Sequence, residues 1–245
     1  MNTKNLDIQL VLCPVREPEK KYVDLYHKIY SCWHEVWSET YAELKYHKRV
    51  EDDEMRSDAF TRQDFAAAFF HKDECVAVIL FRHVDMSLLT TQQDSYFIQW
   101  SEIHRKAVVR LGHRALICGN LAVNPKFRKK KFDISLKDLM VGMVAKITVE
   151  TTADVTIATP RRDRNVHGVS YNWGATPIAQ DVDWGCGVSV DLVTFRRENI
   201  LAKKNHELFL LMSQLWSEKL VVSEEQFESI NFFKRNEVTR LKKLA

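Results

Sequence analysis

No apolar run in this chain approaches the roughly 20 residues that a membrane-spanning helix needs, so no span is expected. The opening MNTKNLDIQL is too polar for a secretion signal. Cysteine is sparse and scattered. The five, Cys13, Cys32, Cys75, Cys118 and Cys186, form no C-x-x-C pair, and an odd count without a signal fits reduced thiols in a cytoplasmic protein. The nine histidines contain no H-E-x-x-H or H-x-x-x-H pattern, so the sequence offers no metal site. Neither sign of charge dominates: 36 basic residues against 33 acidic leave a net charge of +3. That excludes a general polyanion-binding surface. No recognition motif accompanies the lysines, so nucleic acid is not an expected partner. Proline/glycine-rich linkers, repeats and low-complexity tracts are also missing, which argues against two independent domains.

The most informative stretch that is present is LAVNPKFRKKKFDISLKDLMVGMVAKI, residues 121–147. Upstream, Ala115, Ile117, Gly119, Leu121 and Val123 alternate with Leu116, Cys118, Asn120 and Ala122. Downstream, Phe132, Leu136, Leu139, Met140, Met143, Val144 and Ile147 form one helical stripe. The period changes from about 2 to about 3.6 across residues 124–132. A strand therefore runs over 115–123, a turn follows, and a helix is expected over 133–149. Such a turn aims backbone N–H groups and a helix N-terminus outward, which suits an anion. It also carries Arg128, Lys129, Lys130 and Lys131 in a row. Asp133, or Ser135 paired with Asp138, is placed to cap the helix.

Alternation at Leu6, Ile8, Leu10 and Leu12 predicts an opening strand. Tyr22, Leu25, Tyr26, Ile29, Trp33, Val36, Trp37, Tyr41 and Leu44 predict a long helix over 19–48 with an aromatic core stripe. The acidic residues 51–58 read as a loop or short surface helix. Residues 65–85 read as two strands joined through HKDE, the second mostly apolar and central. Tyr96, Phe97, Trp100, Ile103, Ala107 and Val108 give a helical pattern over 90–111, ending near Gly112. DVTIATP is a strand over 154–160, residues 161–174 a short helix, and ATPIAQDVDWG and GVSVDLVTFRR two last strands turning at 184–187. Residues 198–245 are helical by pattern, with a second basic cluster, KRNEVTRLKKLA, at the end.

This order of elements, with the strand-turn-helix at 115–149 and YNWGATP at 171–177, resembles the GNAT (N-acetyltransferase) superfamily of acyltransferases over about residues 6–197. The resemblance implies an α/β (α+β) fold: a mixed, largely antiparallel sheet with splayed central parallel strands, flanked by helices. It implies an acyltransferase domain over 1–197, with 198–245 a helical extension packed on it. In that family the strand before the turn often reads L-x-V-x-P, matched by Leu121, Val123 and Pro125. The turn reads R/Q-x-x-G-x-G/A, and its amides bind the pyrophosphate of coenzyme A. After Arg128, Lys131 and Asp133 hold the glycine positions, so lysine charge would replace close backbone approach.

The implied chemistry is direct transfer of an acyl group from a thioester to a small-molecule amine, with no metal. The donor is acyl-CoA, or a phosphopantetheine-linked acyl group on an acidic acyl carrier protein. The acidic EDDEMRSDAF segment is similar to that of acyl-homoserine-lactone synthases, which use such carriers, and of N-acyl amino acid synthases. Asn165 matches the asparagine that contacts the donor arm. Tyr171, shifted by one residue from the family's usual place, is the implied acid for the departing thiolate. Backbone near Leu121 and Val123 is the implied carbonyl-polarising group. The basic residues Arg128, Lys129, Lys130 and Lys131 are the implied donor site. A base near neutrality is available as a histidine, or as a glutamate raised by burial: Glu102, His104 and His113 qualify by type. The competing reading is a non-catalytic binding protein on the same fold, which the altered turn and shifted tyrosine favour.

Overall fold

A computed structural model describes residues 7–46, 56–128, 132–184, 187–203 and 206–229. Lys129, Lys130, Lys131, most of the acidic segment and the basic C-terminal cluster lie outside the described residues. The strands are β1 Gln9–Pro14, β2 Phe65–His71, β3 Glu74–Asp85, β4 Arg114–Val123, β5 Val155–Ala158, β6 Ala175–Asp183, β7 Ser189–Phe195 and β8 Leu220–Val221. They form one sheet in the order β6-β7-β5-β4-β3-β2-β1-β8. Among the described residues only β4–β5 and β1–β8 pair in parallel. The helices are α1 Val23–Tyr46, α2 Asp58–Thr61, α3 Leu89–Gln92, α4 Glu102–Leu111, α5 Leu136–Glu150, α6 Val166–Asn172, α7 Arg197–Leu201, α8 Phe209–Ser217 and α9 Glu224–Ser229.

β3 is apolar on both faces because both are covered. One face of the sheet packs on α5 and α8, with Phe65, Phe81, Leu116, Cys118, Leu139, Met143 and Trp216 in a shared core. The opposite face packs on α1 through Ile29, Trp33 and Val36. Beside it, Met86, Phe97, Trp100 and Val108 cover Ile117 and Ile157. The aromatic stripe of α1 is thus core, as its spacing predicts.

α5 starts at Ser135, whose Oγ accepts the Asp138 N–H at 3.3 Å; Asp133 is exposed and does not cap it. Asp138 also accepts the Trp173 indole N–H at 2.6 Å. Trp173 lies so close to α5 that a Cβ on Gly142 would stand 2.5 Å from its ring. His206 stacks on that indole at 4.1 Å between centroids, and this contact docks the chain after β7 against Trp173.

Two expectations are corrected. The single helix over 90–111 is broken into α3, a 3-10 turn at Ser95–Phe97, and α4. Asp94 is the reason. Its carboxylate accepts the Tyr96 N–H at 2.8 Å and also grips Arg82 of β3 with two bonds of 2.9 and 3.0 Å. A side chain that caps a new turn while paired to the sheet ends the preceding helix. Ile103, expected on the apolar stripe, is consequently 73% exposed. After residue 198 the pattern predicts helix throughout, yet Leu220 and Val221 form β8 alongside Val11 and Leu12.

Candidate functional site

The sheet forks between its two central parallel strands. β4 and β5 pair only at Ala115–Val155, Leu116–Thr156 and Ile117–Ile157. Beyond that row β4 stays with β3, while β5 stays with β7. The parting is reinforced within β4. Asn120 and Leu121 together oppose Ile79 of β3, a bulge in which Asn120 takes φ 56°. A bulge bends its strand and re-aims the residues after it. Leu121 and Val123 then lean on the α5 core. On the opposite face Gly119 borders open space, with nothing within 4 Å of where a Cβ would stand.

Cations gather at the open end of the fork. Arg128 follows β4, Lys137 lies in the first turn of α5, and Arg164 follows β5. Lys137 Nζ donates to the Arg164 carbonyl at 2.8 Å, joining the start of α5 to the β5 side. Arg128 folds back to donate to the Val123 carbonyl at 3.0 Å. The two arginines meet carboxylates one turn apart on α1: Arg128 reaches Glu39 at 3.5 Å, and Arg164 reaches Glu43 at 2.5 Å. Thus α1 supplies acidic partners on both flanks of the opening.

Tyr171 lies in a polar network on the β7 side. Its hydroxyl donates to Asp191 at 2.5 Å and accepts from Gln180 at 3.2 Å. Asp191 has no exposed side-chain surface. It also accepts Arg162 at 2.8 and 3.1 Å and the Asp181 N–H at 2.8 Å. Burial, then the bond to Asp191, push the Tyr171 phenol above its ordinary value. Burial works against the Asp191 carboxylate, but the Tyr171 hydroxyl, the Asp181 amide and Arg162 outweigh it and hold the carboxyl below its usual range. A phenol that already donates its hydrogen bond to a buried carboxylate is a weaker acid than a free one.

Asn165 is at the N-terminus of α6 in the left-handed region, φ 51°, and its side chain caps nothing. That side chain folds over Gly168, where a Cβ would stand 2.4 Å from its Oδ1. The glycine therefore makes room for Asn165 and leaves α6 unbroken up to Tyr171.

Two of the three base candidates, Glu102 and His113, lack the setting expected of them. Glu102 is exposed and bonded to Lys106 at 2.6 Å, and that bond lowers its carboxyl rather than raising it. His113 is exposed at the closed end of the fork, just before β4. Six residues of strand separate it from Gly119, about 20 Å at about 3.3 Å per residue. Cys118 is buried in the core, and burial pushes its thiol up to about 12. Asp191, and the hydroxyl of Tyr96, which the helical pattern counts only as an apolar position, are further polar groups near the fork. The signal for the first was a carboxylate inside the apolar strand SVDLVTF. Among the described residues no group of three or more metal-ligating side chains occurs, and no helix is long and apolar enough to cross a membrane.

An open mixed sheet, forked between parallel strands and with a capped helix beginning at the open end, is a GNAT-like fold. No family model matches the sequence, and no curated protein matches it. Among solved structures the chain is similar to FeeM, an N-acyl amino acid synthase from uncultured soil microbes. The identity is 11%, over 84% of this chain and 99% of that one, with a TM-score of 0.50. It is also similar to BjaI, a CoA-dependent acyl-homoserine lactone synthase solved with SAM and isopentyl-CoA. That identity is 11%, over 87% and 92% of the two chains, with a TM-score of 0.52. At such identities the likeness is one of fold.

Proposed function

We propose that this protein transfers an acyl group from a phosphopantetheine thioester to an amine acceptor at the β4–β5 fork. The observation that carries the reading is the fork itself. Strand β4 leaves β5 after Ile117, and cationic side chains and the start of α5 stand at the open end. An extended donor arm fits between parting strands because each edge there has lost its neighbour's hydrogen bonds. Its phosphates would meet the helix N-terminus and the basic turn. The amine nitrogen attacks the thioester carbon, the carbon–sulfur bond breaks, and the net reaction moves one amine proton to the sulfur. Backbone amides of Leu121 and Val123 are the proposed donors to the carbonyl oxygen, and Asn165 the proposed contact for the donor arm. The donor is acyl-CoA or an acyl carrier protein. The amine substrates of FeeM and BjaI point to an amino acid or a related amine as acceptor. A second reading, donor binding without turnover, is favoured by the commitment of Tyr171 to Asp191.

The basic turn provides the test of donor binding. Replacing Lys129, Lys130 and Lys131 together by alanine is expected to weaken coenzyme A and acyl carrier protein binding about tenfold or more at low salt. The difference should shrink as salt rises, because exposed charges are screened beyond about 10 Å at 0.1 M. Unchanged affinity for both donors would make these lysines a solvated loop.

A further inference from the structure

The segment between β3 and α4 brings a second tyrosine to the fork, from the opposite face to Tyr171. Tyr171 leans on the α5 core, whereas Tyr96 packs in the cluster that covers Ile117 and Ile157. Its place is fixed three ways. Asp94 caps its N–H, Arg82 holds Asp94, and the ring sits 5.1 Å from Phe97 and 6.2 Å from Trp100 between centroids. Arg82 pairs across the ladder with Ile117, and Ile117 with Ile157, the last row before β4 and β5 part. Gly119, two residues further on the same face of β4, borders open space.

The Tyr96 hydroxyl is buried and makes no hydrogen bond within 3.5 Å. The groups that face it are Thr159, just past the end of β5, with Cys118 and Arg82. Burial holds this phenol well above its ordinary value, so it keeps its proton. A buried hydroxyl without a partner costs stability. The Thr159 hydroxyl stands on the oxygen's acceptor side, so the hydroxyl hydrogen is left for a ligand oxygen in the fork.

We propose that Tyr96 is a catalytic residue: its hydroxyl, fixed at the fork by the Arg82–Asp94 pair, donates a hydrogen bond to the thioester carbonyl oxygen of the bound donor. The proposal rests on the acyl-transfer reading above and names a residue for it. As the amine nitrogen bonds to the carbonyl carbon, charge grows on that oxygen. The hydroxyl stabilises it without giving up its proton, and the charge returns when the carbon–sulfur bond breaks.

Tyr96→Phe tests this in the full chain. The change removes a buried hydroxyl that donates to no group of the protein, so the unfolding midpoint should hold or rise, and coenzyme A affinity should stay within about twofold. Turnover should fall about 10²–10³-fold, the loss typical of one such donor. Turnover within about twofold of wild type overturns the proposal. Infrared spectra of a ¹³C=O-labelled acyl-CoA bound to each protein separate the two readings. A carbonyl band lower in wild type than in Tyr96→Phe supports the contact even if no amine is acylated, in which case the transfer reading alone fails. Coincident bands, or no binding of the thioester by wild type, overturn the proposal.

Discussion

The Tyr171 hydroxyl and the Asp191 carboxylate are joined by a 2.5 Å hydrogen bond, and the carboxylate is closed off from solvent. A tyrosine implied by family resemblance as the acid for sulfur is thereby a donor to a structural carboxylate. Removing the hydroxyl leaves Asp191 with Arg162 and the Asp181 amide. Tyr171→Phe is therefore expected to destabilise the fold by about 1–2 kcal/mol, as for a hydrogen bond to a charged group. Turnover should fall less than about tenfold, well short of the Tyr96→Phe loss. Denaturant midpoints and steady-state rates on the same preparations check both halves. A 10²-fold loss at unchanged stability would restore Tyr171 as the acid.

The same carboxylate gives a pH dependence. Its folded pKa lies below the ordinary value, so its contribution is fully present above the unfolded value of about 3.9. It is lost as pH falls through the lower folded value. Asp191→Asn is expected to lower stability at neutral pH by about 1–3 kcal/mol. The gap to wild type should narrow below about pH 4, where wild type begins to lose what the variant never had. Midpoints measured from pH 7 down to pH 3 show this directly. A gap that widens on acidification contradicts the assignment.

Glu39 and Glu43 hold the guanidinium groups of Arg128 and Arg164 at the two flanks of the fork. All four side chains are substantially exposed, so each pair is worth about 0–1 kcal/mol. An anionic donor must compete with these carboxylates. Glu39→Gln with Glu43→Gln should tighten coenzyme A binding by up to about fivefold at low salt, with the gain fading toward 0.5 M. Titration calorimetry at two salt concentrations suffices. Weaker binding in the double variant would show that the glutamates position the arginines rather than occupy them.

Much of this architecture is legible in the sequence, because periodicity is a local signal. The alternation at 115–123 and the stripe after Phe132 place β4, α5 and the turn between them. Elements set by distant partners were not legible. Asp94 breaks the helix over 90–111 only because Arg82, twelve residues earlier, grips it from β3. β8 is two residues long and exists through pairing with β1, at the other end of the chain. Likewise Tyr171 stood out by its place in the short helix, while Asp191, which determines what its proton does, comes from β7. Residue type alone points to Glu102 and His113, whereas exposure, pairing and position along the strand are properties of the fold.

The most direct measurement incubates the purified full chain with acyl-CoA, and separately with an acylated carrier protein, against a panel of primary amines that includes amino acids. Products are identified by mass. Acyl transfer at the fork predicts an N-acyl amide and one equivalent of free thiol, formed only when donor and amine are both present. A donor that binds tightly yet remains intact with every amine would contradict it and leave a binding protein on this fold.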